Sequence, residues 1–130
     1  MDFTVPNSTL SFHIPDSWLS FCQCGAFQRK IDFYVYPREL DPYTDVVPIG
    51  KVEPPLRDAG IPGFQMHRLV PILLGMQSPD GMVPPVEVVQ QDSGSYLYRV
   101  RNGYHRYYAA IALGFPKVPV TTQIDRSCVR

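Results

Sequence analysis

Gly103, His105 and Arg106 fall within four consecutive positions, and their types suit the capture of an anion. A glycine ahead of a helix lets the backbone turn sharply and leaves the first helical N–H groups without partners inside the helix. Cationic side chains in that first turn oppose the positive end of the helix dipole, a conflict that a bound phosphate removes. Arg106 offers a planar fork to phosphate oxygens, and His105 can donate a hydrogen bond and titrates near neutral pH. Tyr104 and Tyr108, one helical turn apart, are placed to line a pocket beside the anion. The competing reading pairs His105 and Arg106 with carboxylates elsewhere on the surface.

The elements that must position these residues are well marked. Tyr96, Tyr98 and Val100 alternate with Leu97, Arg99 and Arg101, the period of a strand with two unlike faces, and Asn102-Gly103 breaks it. From Tyr104 the run predicts a helix of about ten residues, with Tyr107, Ala110, Ile111 and Leu113 on a core face and Gly114 then Pro116 at its end. Upstream, Asp45 to Val52 reads as a strand. Glu53 to Gly63 is too rich in proline and glycine for regular structure, and its charged residues Glu53, Arg57 and Asp58 are candidates for function or plain solvated charges. Phe64 to Met76 has helical spacing, with Pro71 expected to kink or split it and His67 and Arg68 near its start. Ser78-Pro79-Asp80-Gly81 is a turn, Val83 to Val89 a strand, and Gln91 to Ser95 the turn of a hairpin.

Residues 84–120, with Pro84-Pro85, the hairpin, Gly103-Tyr104-His105-Arg106, the alanine-rich helix and the closing Val118-Pro119-Val120, resemble the ParB/sulfiredoxin superfamily. Val47-Pro48-Ile49-Gly50-Lys51-Val52 and Pro54-Pro55-Leu56-Arg57 extend the resemblance upstream, so that it spans residues 46–124. It implies a small mixed sheet with short helices, with nucleotide phosphates held at the turn of Gly103, Tyr104, His105 and Arg106. The resemblance also implies that the loop after the first strand approaches the nucleotide. Glu53 or Asp58 would then hold magnesium through water or act as a base, Arg57 would reach phosphate, and His67 and Arg68 would face the ligand. Where sulfiredoxins carry their catalytic cysteine this chain has Tyr104, and a phenol with a pKa near 10 does not replace a thiolate. Sulfiredoxin chemistry is therefore not expected.

Outside that stretch the sequence sets bounds. Its 130 residues suit one domain of ordinary size, and twelve basic against twelve acidic side chains give no global field toward nucleic acid or anionic membrane. Fourteen prolines point to many turns and short elements. No apolar run is long enough for a signal peptide or membrane span, and a cytoplasmic location is expected. Leu10, Phe12 and Ile14 alternate as a strand, as do Ile31, Phe33 and Val35; the two are expected to pair as a hairpin in an N-terminal β extension over residues 1–44, ahead of the domain at 45–130. Cys22 and Cys24 have soft-metal spacing, but Cys128 is the only other thiol and His13, His67 and His105 are scattered. Reduced, partly buried thiols are the simpler reading.

The sequence thus reads as an α+β domain of ParB/sulfiredoxin type. The leading expectation is a nucleotide-binding protein that hydrolyses or transfers a phosphoryl group of ATP or CTP with magnesium. His105, Arg106, Glu53 and Asp58 would carry the reaction. The alternatives are a DNA- or RNA-binding protein or nuclease that grips a backbone phosphate at the same turn, and a non-catalytic interaction module.

Overall fold

Val86 and Val88 alternate with Glu87 and Val89 on a strand with one buried side, and the other strands assemble around it. The computed structural model describes residues 1–37, 42–57 and 62–123. In chain order the elements are β1 (Asp2–Thr4), β2 (Ser11–His13), α1 (Asp16–Phe21), a 3-10 turn (Cys24–Ala26), β3 (Thr44–Pro48), a second 3-10 turn (Ile49–Lys51), β4 (Val52–Glu53), α2 (Met66–Gln77), β5 (Val86–Gln90), β6 (Tyr98–Asn102), α3 (Tyr104–Ala112) and β7 (Lys117–Thr121). The protein is a small α+β fold with a mixed five-stranded sheet, ordered β3-β7-β5-β6-β4, and a separate pair β1-β2.

β5 pairs antiparallel with β6 and parallel with β7; β3 lies antiparallel to β7, and the two-residue β4 runs parallel to β6. Pro119 sits inside β7 without cost to the β5 ladder. That parallel pairing begins only at Val120 opposite Val86, and its bonds need no N–H at position 119. The expected strand from Asp45 to Val52 is two strands. Pro48 ends β3, the 3-10 turn redirects the chain, and β4 resumes at the opposite edge of the sheet.

α2 runs through Pro71 as one helix. Proline removes the N–H that would bond the His67 carbonyl, and the exposed positions of His67 and Pro71 leave that carbonyl to water. Leu69, Val70, Leu73 and Met76 form its buried face; in α3 Tyr104, His105, Tyr107, Tyr108, Ala109 and Ala110 are buried, and Leu113 is buried just past its end. Gly114 takes the left-handed conformation, φ 84°, that closes α3 as expected.

The N-terminal segment differs from its expected hairpin. β2 pairs with β1, Phe3 opposite Phe12, and residues 28–36 form no strand. The reason is visible in Tyr34, which is 1% exposed, donates its hydroxyl hydrogen to the Pro84 carbonyl and packs edge-on against Phe115, while Ile31 and Val35 are exposed. Anchoring Tyr34 in the core puts inward the parity that the alternation of Ile31, Phe33 and Val35 would turn outward. Phe12 crosses from β2 to pack on Phe64 and Tyr108, and Val5, Ile14, Leu19, Cys22 and Tyr34 join the same core as the rest of the described chain. No helix of the described residues is long and apolar enough to cross a membrane.

Candidate anion site

The starts of α2 and α3 lie side by side, and neither has a side-chain cap. Gly103 precedes α3 with φ 123°, and the first N–H bonded inside this helix is that of Tyr107, to the Gly103 carbonyl. Gln65 precedes α2 in extended conformation, and its backbone N–H donates to Nε2 of His105 at 3.4 Å. A ring nitrogen that accepts this bond carries no hydrogen, so the His105 proton sits on Nδ1 and the ring is neutral.

Burial first, and then the neighbouring Arg57, Arg68 and His67, together lower the pKa of His105 from 6.5 to about 4. These three side chains therefore lie close enough to His105 to act on its charge. All three are exposed, and among the described residues none has an ion pair. Arg57 stacks on the face of Tyr104, 4.0 Å from the ring centroid.

The loop that carries Arg57 is tied down from both sides. Tyr108 donates its hydroxyl hydrogen to the Pro55 carbonyl at 2.6 Å, Tyr107 reaches the Val52 carbonyl at 3.4 Å, and the Gly63 N–H donates to the Tyr104 hydroxyl oxygen at 3.2 Å. Phe64 fills the middle, its ring centroid 5.3 Å from Tyr108 and 5.9 Å from both Tyr104 and His105. Tyr104 and Tyr108 were expected to line a pocket; at 6% and 0% exposure they instead fill the space and brace the loop. Large rings on successive turns pack against Phe64 more favourably than they leave a cavity.

The sequence candidates separate into groups. Arg57, His67, Arg68 and His105 come together. Arg106 turns away: Nη1 donates to the Pro85 carbonyl, the guanidinium lies against Gly103, and the residue borders a groove with Ile72, Leu74 and Met82. Glu53 lies on β4 opposite Arg99 and lines another groove with Leu10, Pro54 and Tyr96, away from His105. Asp58 lies outside the described residues. The described residues contain no group of three His, Cys, Asp or Glu side chains that could hold a metal.

Sequence reasoning did not find Phe64 or Gln65, the residues that connect the two helix starts. The one signal was position, since they follow Gly63 at the end of the irregular loop. Comparison with protein-family models, with curated proteins and with solved structures found no match.

Proposed function

We propose that the protein binds a nucleoside phosphate, with the phosphate seated between the starts of α2 and α3. The observation that carries this reading is that Arg57, His67 and Arg68 all lie near His105, with no ion pair to any of them among the described residues. Two uncapped helix starts add their N–H groups and dipoles to the same field. The family resemblance at Gly103-Tyr104-His105-Arg106 supports the same ligand.

In this reading Arg57 and Arg68 bind phosphate oxygens and His67 adds a ring N–H contact. Arg106 contributes charge from the far side of Gly103. Neutral His105 orients the start of α2 through the Gln65 N–H. Magnesium would arrive with the phosphates rather than in a protein cage, since no metal-binding group gathers among the described residues. Binding is the part that the geometry supports. Hydrolysis or transfer needs a base, and Glu53 borders a different groove.

Calorimetric titration with ATP, ADP, CTP and GTP at physiological salt, with and without magnesium, tests the proposal. Saturable binding of a free nucleotide supports it. Binding of DNA or RNA alone, falling steeply with salt, would replace it with the nucleic-acid reading. Silence toward all of these leaves the interaction module.

A further inference from the structure

Cys22 and Cys24 flank Gln23 where α1 ends. Cys22 keeps a right-handed backbone (φ −84°, ψ −3°), Gln23 turns left-handed (φ 55°, ψ 38°), and Cys24 opens the 3-10 turn. Residues two apart separate their Cα atoms by at most about 7 Å, and a left-handed helical residue between them shortens that span toward the roughly 4.4–6.8 Å of a disulfide. Cys22 Sγ points to the Val70 carbonyl and Cys24 Sγ accepts from Gln77, so both thiols lie on the side of the turn that packs on α2. Gln77, the last residue of α2, holds the turn from the other side: its Nε2 donates to the Cys22 carbonyl at 3.0 Å and reaches Cys24 Sγ at 3.7 Å. Access to the pair is unequal. Cys22 is 2% exposed, with Sγ 3.8 Å from the Val70 carbonyl, whereas Cys24 is only partly covered.

We propose that Cys22 and Cys24 form a reversible dithiol–disulfide site whose oxidant is a low-molecular-weight disulfide. Cys24, the accessible partner, loses its proton to solvent and attacks one sulfur of the small disulfide. The S–S bond breaks, one small thiol leaves, and Cys24 carries the other half as a mixed disulfide. Cys22 then loses its proton and attacks Cys24 Sγ, which expels the second small thiol and closes the Cys22–Cys24 bond. The protein loses two protons and two electrons, and one small disulfide becomes two thiols. So short a loop gains little stability from closure, so the pair is a redox centre and not a structural staple. Burial and the neighbouring Cys22 push the Cys24 thiol up to about 11, which makes the exchange slow at neutral pH and leaves its end point to the redox potential of the surroundings.

The test uses the full chain with Cys128→Ser, so that no third thiol takes part. The protein is equilibrated natively with oxidised and reduced glutathione over a range of ratios, remaining thiols are alkylated, and intact and peptide masses are read. The expected product lacks two hydrogens, carries neither glutathione nor alkyl group, maps to a Cys22–Cys24 link, and reverts as reduced glutathione rises. A further Cys22→Ser change should leave glutathione trapped on Cys24. Glutathione persisting on Cys24 with Cys22 alkylated, in the protein that retains both thiols, would overturn the proposal. So would recovery of both cysteines as alkylated thiols after equilibration in the most oxidising mixture.

Discussion

The backbone N–H of Gln65 donates to Nε2 of His105 across 3.4 Å, which joins the start of α2 to the first turn of α3. The bond requires a neutral ring, and Arg57, Arg68 and His67 oppose its protonation. A histidine that sequence alone would make a phosphate donor therefore acts as an acceptor from the backbone.

This arrangement sets a pH dependence. The folded pKa of His105, about 4, lies below the ordinary 6.5, so the unfolded chain binds the proton more readily. The contribution of His105 to stability is fully present above pH 6.5 and is lost as the pH falls through about 4. In an NMR titration the His105 ring should show no protonation step near pH 6.5. A step there would contradict the buried, acceptor state.

Gly103 holds φ 123°, where side chains are strained, and a Cβ there would meet Val86 Cγ1 at 3.1 Å and the Arg106 guanidinium at 3.4 Å. Gly103→Ala should destabilise the protein by about 1–3 kcal/mol in urea unfolding. A neutral result would mean that the turn before α3 relaxes freely.

Tyr108→Phe removes the hydroxyl bonded to the Pro55 carbonyl and keeps the ring against Phe12 and Phe64. It should cost about 1 kcal/mol, and Tyr108→Ala about 3–5 kcal/mol. Amide exchange should rise at residues 56 and 57 in the Phe variant, because the loop loses its anchor. Unchanged exchange would show that the loop is held from elsewhere.

α3 was the most legible element because both of its ends are written in residues with backbone roles: Gly103 at positive φ before it and Gly114 at positive φ after it. β6 was legible through its alternation, with Tyr98 and Val100 half-buried and Arg99 and Arg101 exposed. The strand expected at Ile31 to Val35 failed because Tyr34 is fixed by tertiary contacts to Pro84 and Phe115, which local alternation does not reveal. β1 is three residues long, too short for a period to show. At the site, the residue types indicated positive charge, but not the directions of neighbouring side chains. His105 and Arg106 differ by one position on a helix, which sends one to Gln65 and the other to Pro85.

The most direct measurement compares calorimetric affinity for ATP and CTP between the wild-type protein and Arg57→Ala, Arg68→Ala and Arg106→Ala, each checked for unchanged circular dichroism. Loss of one charge-assisted contact corresponds to about 1.5–3 kcal/mol, or roughly 10- to 150-fold in affinity. The account predicts losses of that order for Arg57 and Arg68 and a smaller one for Arg106. A nucleotide bound equally well by the Arg57 and Arg68 variants, or by none of the proteins, would contradict a phosphate site between α2 and α3.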